Sequence, residues 1–172
     1  MAASRVAVKY GLIAGVGTVA YFLLFYFIKK ELLFNPFVYW ASLGICLALM
    51  WSAIQEEKRF AGAPPGIRAS LRTAFLVFVI ANFIYYAFYF FLYGYADPGL
   101  VDLQREVMKE SLEQSRNLLS EEQREQMLES LKGDKLNPTA GKVFFTFARS
   151  LIGGFVFSLG MAALSSREGG IG

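Results

Sequence analysis

LRTAFLVFVIANFIYYAFYFFLYGY, residues 71–95, decides how the rest of the chain is read. After Arg72 no charge occurs until Asp97, and eleven of its residues are Phe or Tyr. About 20 apolar residues, rising about 1.5 Å each, cross the ~30 Å hydrocarbon core of a bilayer. Backbone amides in lipid have no water to bond, so a lone segment there satisfies them internally, as a helix. The stretch therefore predicts a membrane-spanning helix.

Three other runs read the same way. Toward the N-terminus, PFVYWASLGICLALMWSAI occupies residues 36–54, with Asn35 as a natural N-cap and Pro36 at the first helical position. Before it, YGLIAGVGTVAYFLLFYFI occupies residues 10–28 and is closed by Lys29 and Lys30. A signal peptide also begins with positive charge and an apolar core. Here the core is long, and Lys29-Lys30-Glu31 stands where a small-residue cleavage site belongs, which predicts a retained span. The short connection makes the first two spans a tight antiparallel hairpin. Residues 55–70, QEEKRFAGAPPGIRAS, read as a polar loop broken by Pro64-Pro65-Gly66. The third span is taken as 72–95 and the fourth as 140–165.

Between the third and fourth spans lies a polar insert, residues 96–138. Asp97-Pro98 reads as a cap and proline opening a helix whose apolar stripe is Leu100, Leu103, Val107, Met108 and Leu112. Ser120 with Gln123 reads as a capping box opening a second short helix, with Met127, Leu128 and Leu131 apolar and Gly133 ending it. Asn137-Pro138 repeats the cap-and-proline start. Neither stripe makes an independent core, so both are expected against the membrane surface, the rim of the bundle or a partner.

Composition agrees with several spans in one domain: 172 residues, 55% hydrophobic, 16% aromatic, mean hydropathy +0.42. Residues 96–142 hold ten acids and seven bases, net −3, and the rest of the chain is net +6. One cysteine, Cys46, permits no intrachain disulfide, and there is no histidine. Four spans put both termini on one side. That side carries Arg5, Lys9, Lys58, Arg59, Arg68, Arg72 and Arg167, which predicts cytoplasmic termini and an insert facing outward.

Candidate residues divide into polar and small. Arg149 is an ionisable residue inside a span and so a functional candidate. It also lies about ten residues from the helix start, where an Arg snorkels to the interface. A carboxylate partner from the same side would be Asp97 or Glu31. Asn82, near the middle of the third span, either lines a polar path or hydrogen-bonds a neighbouring helix. Glu121, Glu125 and Glu129 share a helix face without ligand spacing and read as solvated. Small residues recur every fourth position: Ser150, Gly154, Ser158, Ala162 and Ser166 in the fourth span, Gly11 and Gly15 in the first, Gly44, Ala48 and Ser52 in the second. Such stripes let helices approach closely, inside the bundle or against a partner. Gly15, Gly17 and Ala20 match a dinucleotide fingerprint in spacing only, since they lie inside a span. No Walker loop, GxSxG or Cys/His cluster occurs.

Lys9-Tyr10-Gly11-Leu12 at the head of the first span, the Asp97-Pro98 exit from the third, and Leu-Ser-Glu-Glu-Gln at 119–123 before a Met-Leu helix form a set. With the four-span layout, this set resembles a bacterial inner-membrane family known only as a domain of unknown function. The resemblance implies four membrane helices and a bacterial cytoplasmic membrane, and it supplies no catalytic residues. The expectation is an all-α integral membrane four-helix bundle, not an enzyme, with no catalytic, cofactor or metal residues. It is expected to serve as an accessory, structural or assembly subunit of a larger membrane complex. A small oligomeric transporter or channel is the alternative. Expected partners are the lipid bilayer and membrane-protein subunits or further copies of the chain, and not nucleic acid.

Overall fold

The computed structural model describes residues 2–61, 66–115 and 119–168. Among these are six α-helices and no strand: α1 Ala2–Ile28, α2 Pro36–Ala61, α3 Ile67–Phe91, α4 Gly99–Gln114, α5 Glu121–Ser130 and α6 Ala140–Glu168. The windows Arg5–Ile28, Pro36–Phe60, Ile67–Ala96 and Ala140–Ser166 are long and apolar enough to cross a membrane. The break at Pro64-Pro65 and the tail beyond residue 168 lie outside the described residues.

The hydrophobic stretch 71–95 lies at the centre. α3 packs against α1, α6 and α2, whereas α2 and α6 touch little. Ala74, Val77, Phe78 and Ala81 give α3 its buried face. α1 approaches closely because Gly11 and Gly15 leave room for Ile80 and Ile84: a Cβ there would lie 2.8 and 2.6 Å from those side chains. α6 approaches through Gly154, where a Cβ would lie 2.0 Å from the Phe78 ring. Large apolar side chains point outward, among them Phe37, Trp40, Phe83, Phe144 and Phe145. Contiguous exposure on that scale would be a liability in water and fits a hydrocarbon surround.

The helices outrun the expected spans. α1 begins near residue 2, not 10, α2 continues through residues 55–60, and α3 begins at Ile67, so most of the loop expected over 55–70 is helix. The charges that suggested a loop have found partners across helices. Glu56 accepts from Lys9 Nζ at 3.0 Å and from the Tyr10 hydroxyl at 2.7 Å. Buried Glu57 accepts from the Thr73 hydroxyl. Lys58 Nζ donates to the Ser165 carbonyl at 2.9 Å, tying α2 to α6 at this end.

At the opposite end a 3₁₀ turn, Lys30–Phe34, closes the hairpin, and Asn35 Oδ1 accepts from the Phe37 amide at 2.9 Å, the expected cap. α3 finishes in a wide π turn over Leu92–Ala96, where the Asp97 amide donates to the Leu92 carbonyl at 2.8 Å. Leu100 and Val101 of α4 then bury against Phe22, Leu33, Val38, Leu92 and Tyr93. The start of the insert thus docks on the bundle's own rim, while Met108 and Met127 stay exposed. Ser120 and Gln123 form the reciprocal capping box. Gly133 takes the left-handed conformation, φ 63°, after α5. Two starts differ from expectation. The Asp97 carboxylate is drawn to α1 rather than simply capping α4, and α6 is capped by Thr139 Oγ1, which accepts from the Lys142 amide at 3.4 Å, not by Asn137.

Candidate functional site

Since α2 and α6 flank α3 without closing on each other, they leave a cleft of about 220 Å³. Phe78, Ala81, Asn82 and Tyr85 of α3 form its back, Ser42, Leu43 and Cys46 of α2 one wall, and Ser150, Gly154 and Phe157 of α6 the other. These residues sit near the middle of their helices, so the cleft lies at mid-depth of the bundle. A second chamber of about 450 Å³ continues it toward the insert. Tyr39 and Tyr85 line both, and the second is rimmed by Tyr86, Tyr89, Gln104, Lys135, Asn137 and Lys142.

Three donors in the inner cleft are engaged by their own helices. Asn82 Nδ2 donates to the Phe78 carbonyl at 3.1 Å, Ser42 Oγ to Tyr39 at 2.7 Å and Ser150 Oγ to Phe147 at 2.7 Å. Asn82 therefore bonds its own turn, not the neighbouring helix that its position suggested. With their protons committed, these groups present a wall that is chiefly apolar. The outer chamber differs. Lys142 Nζ sits over the carbonyls of Lys135 at 3.1 Å and Asn137 at 3.3 Å, Lys135 Nζ over that of Glu129 at 3.2 Å, and Gln104 Oε1 is buried with no hydrogen-bond partner among the described residues.

Arg149 stays out of the cleft. It is exposed on α6, and neither expected carboxylate reaches it. Asp97 is taken by Tyr26, 3.0 Å from hydroxyl to Oδ2, and by the Lys30 ammonium. Lys30 holds the Asp97 carboxyl below the usual carboxylate range, with Tyr26 adding to the effect, and Asp97 in turn raises Lys30. This tie, and those of Glu56 and Glu57, escaped a reading by spacing because the partners are far apart in sequence.

The small-residue stripes serve two different ends. Gly11, Gly15, Gly154, Ser158 and Ala162 are buried within the bundle, with Ser150 half-buried at the cleft. Gly44 and Ala48 instead face outward, and a Cβ on Gly44 would meet nothing within 4 Å. Gly17 is likewise open, and the dinucleotide-like spacing around it lies within continuous α1.

Residues 9–167 match the family model described as Protein of unknown function (DUF4199). The chain belongs to that family. The match takes in all four apolar helices and the insert of this DUF4199 member. No curated protein and no solved structure matches it.

Proposed function

We propose that this DUF4199 protein is a non-catalytic, multi-pass accessory or assembly subunit of a larger complex in a bacterial cytoplasmic membrane. In this reading both termini are cytoplasmic and the insert lies outside, as the excess of Lys and Arg at the end carrying the termini favours. The observation that supports a partner is the outward face of α2. Gly44 and Ala48 make a shallow strip with open space above it, whereas the stripes on α1 and α6 are already occupied by α3. In lipid a shallow strip of that kind is where another helix gains van der Waals contact.

A second reading, a small oligomeric transporter or channel, is favoured by the position of Asn82 in the cleft. It ranks second because Asn82, Ser42 and Ser150 are bonded to their own helices and Arg149 lies elsewhere. Gentle purification of the tagged chain separates the two. The subunit reading expects a stoichiometric membrane-protein partner, and loss of that partner on Gly44→Leu with an unchanged melting profile. A pure homo-oligomer unaffected by Gly44→Leu would count against it.

A further inference from the structure

The two-chamber cleft has an asymmetry that selects a ligand. We propose that it holds one acyl chain of an anionic phospholipid, with the phosphate headgroup at Lys135 and Lys142 and the chain end beside Gly154. The inference rests on the membrane reading and not on the accessory-subunit reading.

Depth supports it first. From Lys142 to Phe157 the two chambers follow about 22 Å of α6, from the helix start to just past its centre. One leaflet of a bilayer contributes about 15 Å of hydrocarbon, so a cleft about 22 Å long holds a leaflet-deep chain and leaves roughly 7 Å at its rim for the headgroup. Volume and wall chemistry agree. An engineered apolar cavity of about 150 Å³ accepts benzene, and this one, about 220 Å³ in its inner chamber alone, has Phe78, Leu43 and Phe157 on its sides. The Asn82 amide and the Ser42 and Ser150 hydroxyls are bonded to their own helices, so a hydrocarbon chain strands none of these three.

The outer chamber has the opposite character. Two ammonium groups, Lys135 and Lys142, rest on backbone carbonyls at its edge, and phosphate complements that charge. The buried Gln104 Oε1 needs a donor, which a glycerol headgroup hydroxyl provides. The insert as a whole is net −3 and would not gather anionic lipid, so the attraction is local to these two lysines.

Native mass spectrometry of the full chain tests this, after incubation in micelles with dioleoyl-phosphatidylglycerol or dioleoyl-phosphatidylcholine. The expected result is one retained phosphatidylglycerol per chain and much less phosphatidylcholine. Each lysine near an anionic headgroup contributes about fivefold in affinity, so Lys135→Gln with Lys142→Gln should bring the two lipids close to equal retention. Ser42→Phe, which fills the inner chamber, should reduce both lipids. The lysine variant removes only surface charge and keeps the test decisive should Ser42→Phe misfold. A broad distribution of both lipids that the lysine variant leaves unchanged would mean annular lipid only and would overturn the proposal. So would retention of none.

Discussion

At Gly154 the absence of a side chain is what lets α6 reach α3. A methyl group there would fall 2.0 Å from the ring of Phe78, a buried core side chain that would have to shift. Overpacking of that kind costs about 1–3 kcal/mol. Gly154→Ala should lower the thermal midpoint in detergent, while Gly153→Ala, which meets nothing within 4 Å, should leave it or raise it slightly. Equal effects at the two neighbours would show that the contact is not tight. Arg149 makes the complementary case. Exposed and without a carboxylate partner among the described residues, it should tolerate Arg149→Leu with a change within about 0.5 kcal/mol in unfolding assays. Loss of assembly would reveal a buried, paired charge instead. The period-four stripe containing Gly154 was legible from spacing alone. Its direction was not, since the same spacing places Gly44 and Ala48 on an outward face. Spacing determines which residues share a face, and only packing determines what that face meets.

Among elements, local signals carried over well and pairings did not. Asn35 and the Ser120–Gln123 box cap where the sequence places them, because a cap involves residues only two or three apart. The extra turns of α2 were hidden because Glu56 and Glu57 look like loop charges until Lys9, Tyr10 and Thr73 from other helices are beside them. The insert holds itself together in a way no periodicity signals. Arg105 of α4 donates from Nε to the Leu131 carbonyl at 2.9 Å and from a terminal nitrogen to the Gly133 carbonyl at 3.0 Å, closing the end of α5. At the root of the insert, the Lys30–Asp97 tie makes a prediction about pH. Asp97 is lowered below its ordinary 3.8, so its contribution is present above that value and is lost as pH falls through the lower folded one. Lys30 is raised above 10.5, so its contribution is present below that value and is lost as pH rises through the higher one. The wild-type melting profile should therefore weaken at both extremes, and Asp97→Asn should flatten both limbs. Retention of both limbs in that variant would assign them to other groups.

For the whole molecule, the arrangement turns on one central helix. α3 packs on α1, α6 and α2 and buries one face through Ala74, Val77, Phe78 and Ala81, while Phe83 and Phe91 point outward. Span number and the all-helical class were legible because four runs are long and apolar enough to cross a membrane. The cleft was not, since it arises from the separation of α2 and α6, and which helices are neighbours is not written in their individual patterns. Four spans put both termini on one side of the membrane and the insert on the other. Cysteine labelling of intact cells with an impermeant reagent, on a Cys46→Ser background, tests this most directly. Ser115→Cys, in the insert, should label from outside, and Ile67→Cys, at the head of α3, should label only after lysis. Labelling of Ile67→Cys but not Ser115→Cys in intact cells would reverse the orientation, and labelling of both would contradict the four-span arrangement itself.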